Sequence, residues 1–406
     1  MTERLYYADP YLGEFDASVV ATLTHEGRPA VVLDRTAFYP TSGGQPFDTG
    51  ALTPATDPSA PAVRVVDVVD EEDGRIVHVV DELPPPGRLH GTIDWARRFD
   101  HMQQHTGQHV LSAAFDRLFG IRTESFHLGA ASATIDLARQ VSPAELTAVE
   151  DEACRIVWED RPVAIRFVDA DEAARLSLRK PSARAGTLRL IDIADFDLSA
   201  CGGTHVARTG AIGMIAIAAS ERFRGGSRVT FLCGRRALDG FRALRDAMAA
   251  SLRVLSVSPA EMPSAIERVQ ADAKSLRRHV KDLQTELAGH EAAALIGSAE
   301  TVGAVRLVTA VETGWDMNAL KALAGRLAEQ PDVVAVVVSE PAPASVAIAC
   351  GAAAGVDCRA LLSAAVSAFG GKGGGRPELA QGGGINAPAA DVAETVREAA
   401  RGTAGR

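Results

Sequence analysis

The sequence has few cysteines, no surplus of positive charge and no long apolar run. Five cysteines among 406 residues, an odd number, favour a reducing compartment over a disulfide framework. The 42 basic side chains face 52 acidic ones, and the net charge of −10 excludes a protein that holds nucleic acid by bulk positive charge. Apolar runs such as Met214–Ala219 and Val333–Val338 are too short to span a bilayer. Because no apolar secretion signal follows Met1, we expect a soluble, cytoplasmic protein.

Length and composition are those of a multidomain protein. At roughly 150 residues per domain the chain predicts two to four domains, and 47% apolar with 23% charged residues exclude general disorder. Residues 1–92 show short alternating runs and a predicted hairpin of Val63–Val69 and Ile76–Val80 with Asp73-Gly74 at its tip. We therefore expect an α+β multidomain protein that begins with a small antiparallel β-barrel.

Residues 93–234 have the pattern of an α+β domain. Helical periodicity covers Trp95–Phe119, with Gly120 as its stop. A second helix opens at Ser142 through a capping box with Glu145. Short apolar runs predict three strands: Ser132–Leu137, Leu188–Ile193 and Met214–Ala219. We expect one antiparallel sheet with helices on one side.

Residues 235–298 predict a helical linker. Seven apolar positions spaced by three and four residues make three heptads, at 266, 269, 273, 276, 280, 283 and 287. Together with the helix-like run Arg235–Leu255, they fit an antiparallel helical hairpin and an intermolecular coiled coil equally well. The second alternative would make the protein a homodimer.

Residues 299–406 alternate strand and helix patterns, which predicts a small α/β domain. The strands are predicted at Val305–Val311, Val333–Val338 and Val346–Cys350, and the helices at Asp316–Glu329, Asp357–Phe369 and Ala389–Arg401. A glycine-rich loop is predicted over 370–377. It is no phosphate-binding loop for nucleotide hydrolysis, because Gly373 follows Lys372 where Ser or Thr is needed.

Histidines and a cysteine with metal-ligand spacing form the main chemical signal. His101, His105 and His109 recur every four residues, so they share one helix face. Cys201 and His205 are separated by two glycines and a threonine, which lets a tight loop turn both side chains toward one point. We prefer His105, His109, Cys201 and His205 as ligands, a nitrogen and sulfur set that suits Zn²⁺. Whether Cys201 binds directly or stands back from an open position remains undecided.

These motifs resemble the editing domain shared by alanyl-tRNA and threonyl-tRNA synthetases. The likeness is carried by His105-Thr106-Gly107-Gln108-His109 followed by Cys201-Gly202-Gly203-Thr204-His205. Phe38–Pro46 is similar to the alanyl branch, including the freestanding editing proteins of the AlaX family. The stretch through Gln381–Gly384 is similar to the DHHA1 domain of the long AlaX form. Because the barrel begins near Met1, we expect no aminoacylation domain.

The resemblance implies trans-editing, the hydrolysis of mischarged alanine tRNA with zinc as cofactor. Ser-tRNA(Ala) is the expected substrate and Gly-tRNA(Ala) a further candidate. An alanine pocket rejects serine or glycine poorly, since one small group supplies only a few kcal/mol of discrimination. The resemblance implies neither DNA as a partner nor a requirement for ATP. A non-catalytic tRNA-binding protein with structural zinc and a metal hydrolase of small esters are the alternatives.

The resemblance also implies roles for single residues. Thr41 is the candidate for recognition of the serine hydroxyl, and Gly43 and Gly44 would bring backbone close to the substrate. His105 and His109 would act in catalysis through the metal, and Gln108 and His127 are candidates for an assisting group. The alternatives are a turn-stabilising role for Thr41 and a packing or surface role for Gln108 and His127.

Basic residues for tRNA contact must be local, because the chain as a whole is acidic. The densest basic segment contains Arg222, Arg224 and Arg228, and Arg179-Lys180 with Arg184 form a second cluster. In the C-terminal domain, where the resemblance implies tRNA contact, Lys372 and Arg376 are the candidate cations. A solvated basic loop is the alternative for the first segment.

Overall fold

The short strands of the first ninety residues close into a β-barrel, as predicted. The computed structural model describes residues 1–57, 59–180 and 186–404. Before and beside the barrel lie β1 (Glu3–Arg4), α1 (Leu5–Ala8) and β4 (Arg35–Thr36). The six barrel strands are β2 (Glu14–His25), β3 (Arg28–Leu33), β5 (Gly50–Pro54), β6 (Val63–Asp70), β7 (Ile76–Val80) and β8 (Arg88–Ile93). They close in the order β2-β3-β7-β6-β5-β8, and the predicted 63–80 hairpin is confirmed.

Helix α2 (Trp95–Phe119) is the central element behind the barrel, and its predicted bounds are confirmed. Asp94 caps its start by accepting a hydrogen bond from the backbone of Arg97, and Gly120 ends it in the left-handed conformation. Apolar side chains of α2, including Met102, Leu111 and Phe115, are fully buried in the core. Burial of each such side chain contributes about 1.5–3 kcal/mol. The helix is therefore held rigidly along most of its length.

Two antiparallel sheets surround α2, so the expectation of one sheet is wrong. The elements are β9 (Thr123–Leu128), β10 (Ala133–Leu137), α3 (Pro143–Trp158), β11 (Val163–Val168), α4 (Ala170–Arg175), β12 (Leu188–Ile193), β13 (Asp197–Ala200), β14 (Ile215–Phe223) and β15 (Gly226–Cys233). One sheet has the order β14-β15-β10-β9 and the other the order β11-β12-β13. Strand β10 pairs with β9 and β15, whereas β12 pairs with β11 and β13 and so lies in a sheet of its own.

Two long helices follow, α5 (Gly234–Leu255) and α6 (Met262–Ile296). The heptad side chains of α6 remain in solvent: Leu276, Val280 and Leu283 are 63%, 51% and 64% exposed. The heptad run is helical as expected, and its pairing partner stays a prediction.

The C-terminal region is a mixed sheet covered by helices. Its elements are β16 (Glu300–Val302), β17 (Val305–Thr313), α7 (Met317–Leu327), β18 (Val333–Glu340), β19 (Ala344–Cys350), α8 (Cys358–Phe369), β20 (Lys372–Arg376), β21 (Leu379–Ile385) and α9 (Ala389–Ala404). The sheet order is β16-β17-β18-β19-β21-β20, with only the β17–β18 pair parallel. The prediction of a loop over 370–377 is wrong, because these glycines pair with β21 as an edge strand.

The chain divides into two compact units, Met1–Ala250 and Ser251–Arg406. The finer division at residues 92, 234 and 298 stays a prediction. Among the described residues, no helix is both long enough and apolar enough to cross a membrane.

Candidate metal centre

Helix α2 presents His105 and His109 one turn apart on its buried face. Their side chains come from the most deeply packed part of the helix, and the two residues are 3% and 4% exposed. The ring of His105 lies beside Phe126 of β9, with a centroid separation of 5.2 Å. Both imidazoles are therefore buried at one place on the helix.

Cys201 and His205 reach the same point from the loop that follows β13. Gly203 makes this approach feasible, since a Cβ there would lie 2.2 Å from Cε1 of His105. The buried Arg189 fixes the loop by donating to the carbonyls of Cys201 and Gly203, at 2.7 and 3.0 Å. Gly203 thus serves the close approach expected from the sequence.

The ligand atoms of His105, His109, Cys201 and His205 all lie within 4.8 Å of one another. The Cys201 sulfur is 3.4 Å from Nε2 of His105 and 3.3 Å from Nε2 of His205. Tetrahedral zinc, with bonds of about 2.0 Å to nitrogen and 2.3 Å to sulfur, separates these atoms by about 3.5 Å. The four side chains fit one zinc ion, and the Cys201 sulfur lies among the ligand atoms.

Each of the three histidines uses its other ring nitrogen in a hydrogen bond. Nδ1 of His105 lies 2.8 Å from Oε1 of Gln45, and Nδ1 of His109 lies 2.9 Å from Oδ2 of Asp197. Nδ1 of His205 lies 3.1 Å from Oγ1 of Thr106. The oxygens of Gln45 and Asp197 accept the Nδ1 protons of His105 and His109, so that Nε2 of each neutral ring carries the lone pair that binds a metal.

The electrostatics of the centre favour an anionic sulfur. Burial raises the pKa of Cys201, but the neighbouring His105 and His205 more than reverse this and bring it well below its usual value. Burial also lowers the pKa of His109, but hydrogen bonds to Asp197 and Cys201 outweigh it and raise the value to about 9. A thiolate is the form in which cysteine binds metal.

The loop of residues 39–48 forms one wall of the centre. Gln45 accepts from the backbone N–H of Thr204 at 3.1 Å and donates to its hydroxyl at 2.8 Å, besides its contact with His105. At Gly44 a Cβ would lie 2.6 Å from the carbonyl oxygen of Phe126, so only glycine lets the loop lie against β9. This loop ties the barrel to the metal centre.

Thr41 and Gly43 lie on the exposed part of this loop. Oγ1 of Thr41 accepts a hydrogen bond of 3.1 Å from the backbone N–H of Phe47. The hydroxyl therefore does stabilise the turn, yet its own hydrogen stays available to a ligand. Gly43 has a φ of 59°, as the turn requires.

Three other predicted groups lie outside the cluster. The amide of Gln108 donates to the hydroxyl of Ser112 at 2.8 Å, and its part in catalysis stays a prediction. His127 is exposed on β9. His101 is buried on α2, where burial and nearby arginines lower its pKa to about 3. Neither histidine belongs to the metal-ligand group found among the described residues.

The basic residues predicted for tRNA contact divide into paired and free ones. Arg228 forms an ion pair with Asp136 at 2.7 Å and lies over the ring of Phe223. Arg179 is bonded to the buried Asp197. Arg222 and Arg224 are exposed and have no ion pair within the described ranges. Arg184 lies outside the described residues.

Lys372 and Arg376 line a cavity of about 560 Å³ in the second unit. Lys321 and Met317 of α7 form one wall, and the glycine strands β20 and β21 form the other. The lining residues include no acid. Sequence reasoning missed Lys321, which helical packing brings to the glycine hairpin.

Sequence reasoning also missed Gln45, Thr106 and Asp197 as partners of the histidines. Gln45 lies in the motif Phe38–Pro46, and Thr106 lies in the motif His105–His109. One feature of the sequence could have indicated Asp197: it is an acidic residue four positions before Cys201, and it lies in a strand with alternating buried positions. The hydrogen-bond partners of metal-binding side chains are therefore harder to predict from a sequence than the metal-binding side chains themselves.

Three family models match the chain. The model described as threonyl and alanyl tRNA synthetase second additional domain matches residues 188–229, and the one described as tRNA synthetases class II (A) matches residues 11–96. The DHHA1 domain model matches residues 303–404. The first and third include, respectively, the Cys201 loop and the glycine hairpin.

Curated relatives agree with these matches. The alanyl-tRNA editing protein AlaX-L of Pyrococcus horikoshii is 33% identical over 94% of this chain and 94% of its own length. The alanine–tRNA ligase of Pyrococcus furiosus is 35% identical over 94% of this chain and 42% of its own length. The chain thus spans about two fifths of the ligases it matches first. Among solved structures, the C-Ala domain of Aquifex aeolicus alanyl-tRNA synthetase matches at 23% identity and a TM-score of 0.24, over 27% of this chain and 98% of that one.

Proposed function

This chain belongs to the alanyl-tRNA editing family, and on that premise we propose that it hydrolyses the ester of mischarged alanine tRNA in trans, with zinc at the His/Cys centre. Ser-tRNA(Ala) is the main substrate and Gly-tRNA(Ala) a second one. The observation that carries the proposal is the cluster of four ligand atoms within 4.8 Å of one another, in a family member that matches AlaX-L over nearly its whole length. Free amino acid and uncharged tRNA are the products.

The chain's own residues hold and orient the reacting groups. Zinc bound there would polarise a water molecule or the ester carbonyl. His105, His109 and His205 are held by Gln45, Asp197 and Thr106 with Nε2 aimed at the centre. Thr41, on the loop that carries Gln45, recognises the hydroxyl of the serine ester. The apolar ring of Phe126 packs beside His105.

Free cations of the second unit bind the body of the tRNA. Lys321, Lys372 and Arg376 line one cavity, and glycine strands let backbone approach a phosphate or a ribose closely. Only five lysines occur in the chain, at 180, 274, 281, 321 and 372, so two of the five lie in this cavity. Arg222 and Arg224 supply further contact, whereas Arg228 contributes less because Asp136 already neutralises it.

The heptad face of α6 supports a homodimer in this proposal. Six apolar side chains along this face are at least 41% exposed, a contiguous apolar stripe of the kind that marks an interface. A second copy of the same helix offers a matching stripe.

A non-catalytic tRNA-binding protein is the second candidate. It is favoured by one observation, the presence of four protein ligand atoms in the cluster, because structural zinc sites have four protein ligands and catalytic ones keep a position open. In that case Cys201 would stay bound throughout and the ester would survive.

Ester loss from defined substrates separates these candidates. Purified protein is mixed with Ser-, Gly- and Ala-charged alanine tRNA and with Ser-charged serine tRNA. We expect rapid loss of serine and slower loss of glycine from alanine tRNA, with the other two esters stable. Binding without ester loss would favour the second candidate, and equal hydrolysis of all esters would contradict the editing function.

A further inference from the structure

A buried carboxylate stands directly behind the metal centre. Oδ2 of Asp197 lies 2.9 Å from Nδ1 of His109, and the hydroxyl of Ser199 donates to both carboxylate oxygens at 3.0 and 3.1 Å. The Asp197 side chain is completely buried. Its orientation therefore sets the orientation of the His109 ring.

Arg179 completes this arrangement from the far side. Its Nε donates to Oδ1 of Asp197 at 2.6 Å, and its Nη2 donates to Oδ2 at 3.2 Å. The two bonds hold the carboxylate plane as a fork, which a single-point donor cannot do. The Arg179 side chain is only 15% exposed, so it is poorly placed to meet a tRNA phosphate.

We propose that Arg179 is a positioning residue for the metal centre, acting through Asp197 on His109, and that it is no tRNA contact. The inference rests on the proposed function, since it assumes that the His/Cys centre binds zinc. Without Arg179, Asp197 keeps only Ser199 and His109 as side-chain partners, so its carboxylate can turn and the His109 ring loses its fixed direction. Loss of a ligand's direct partner typically weakens metal binding by about 10–100-fold, and Arg179 lies one step beyond that partner, so its loss should cost no more than about 10-fold.

The local structure allows Arg179 to be replaced without unfolding the segment. The backbone N–H of Arg179 donates to the carbonyl of Leu198 at 3.0 Å, which attaches the segment to β13 independently of the side chain. The side chain also lines a cavity of about 440 Å³ together with Arg117, Asp195 and Phe196. Water can therefore fill the space that a shorter residue leaves.

Zinc affinity, measured by competition with a chromogenic chelator, tests the proposal. We expect Arg179→Ala to weaken zinc binding by about 10-fold, the lower end of the range for outer partners of a metal site. Arg179→Lys, which keeps the charge but not the fork, should lie between the wild type and Arg179→Ala. The visible spectrum of the Co²⁺-substituted protein should change in Arg179→Ala, because the His109 ligand is less well oriented. Lys180→Ala, its exposed neighbour in the same basic cluster, is the matched control and should leave both readouts unchanged.

Affinity for uncharged alanine tRNA provides the opposing readout. The zinc-loaded Arg179→Ala protein should bind this tRNA within about twofold of the wild type. Wild-type zinc affinity in both Arg179→Ala and Arg179→Lys would overturn the positioning role. An equal loss of tRNA affinity in Arg179→Ala and Lys180→Ala would overturn the claim that Arg179 makes no tRNA contact. Wild-type protein that binds no zinc would instead contradict the proposed function. If Arg179→Ala fails to fold, the Arg179→Lys result decides.

Discussion

Two sites in the two units of the chain differ in how their basic side chains are paired. Behind the metal centre of the first unit, Arg179 is bonded to the carboxylate of Asp197, which contacts His109. In the second unit, Lys321, Lys372 and Arg376 line a cavity without acidic residues. Paired charges fix the geometry of a site, whereas free cations remain available to an anionic partner. We infer that the first unit carries the chemistry and the second carries much of the tRNA affinity.

Removing a metal ligand has the largest expected effect and separates chemistry from binding. We expect His109→Ala to lower the rate of Ser-tRNA(Ala) hydrolysis by about 10²–10³-fold, since metal polarisation supplies several kcal/mol. The affinity for tRNA should stay within about twofold. Single-turnover rates and filter binding measure the two quantities.

His101→Ala is the matched control for this variant. His101 is also a buried histidine of α2, but it lies outside the ligand cluster. Equal rate losses in both variants would show that a histidine of α2 matters for folding and not as a metal ligand.

A substitution at Thr41 tests whether the first unit also selects the amino acid. We expect Thr41→Val to lower hydrolysis of Ser-tRNA(Ala) by roughly 10-fold, the scale of one neutral hydrogen bond, while Gly-tRNA(Ala) hydrolysis changes little. Thr41→Ser keeps the hydroxyl and should retain the preference. The ratio of the two rates is the measurement, and equal losses for both esters would reduce Thr41 to its hydrogen bond with Phe47.

Charge reversal in the second unit tests the other half of the comparison. We expect Lys321→Glu with Lys372→Glu to weaken binding of alanine tRNA by about 10-fold at low salt, and less at high salt. Serine and glycine esters should be affected equally, because the cavity is assigned to the body of the tRNA. Lys274→Glu with Lys281→Glu on α6 makes the same charge change at exposed positions and should have little effect. Similar losses in both pairs would point to net charge rather than the cavity.

The smallest expected effect concerns the oligomeric state, measured as the sedimenting mass of the protein in solution. A homodimer through α6 should sediment at twice the chain mass of 42.5 kDa. Leu276→Glu with Leu283→Glu should halve that mass, whereas Ser275→Glu with Thr285→Glu should not. A wild-type chain that sediments as a monomer at micromolar concentration would contradict the dimer.

Local signals made parts of the fold predictable. Periodicity and caps suffice for helix α2, the Ser142 capping box and the 63–80 hairpin, because each depends on residues close in sequence. The division into two sheets depends on which strands pair with one another, and strands far apart in the sequence, such as β10 and β15, can be partners. Strand β20 gave no apolar alternation to detect, since its core is three glycines.

The convergence of the four candidate ligand residues could be predicted from the sequence. The hydrogen-bond partners around them could be predicted much less well. Histidine and cysteine spacing points to His105, His109, Cys201 and His205 because metal chemistry restricts residue type. The partners Gln45 and Asp197 are ordinary polar residues whose roles depend on three-dimensional contacts. The role of Arg179 also depends on such a contact. Its basic side chain alone suggests tRNA contact, whereas its hydrogen bond to Asp197 indicates a positioning role.

Removal and return of the metal test the central claim most directly. The full chain is stripped of metal, verified by elemental analysis, and given Ser-tRNA(Ala) before and after one equivalent of Zn²⁺ is added. We predict that the metal-free protein still binds tRNA but leaves the serine ester intact, and that zinc restores hydrolysis. Full hydrolysis by verified metal-free protein would contradict the account.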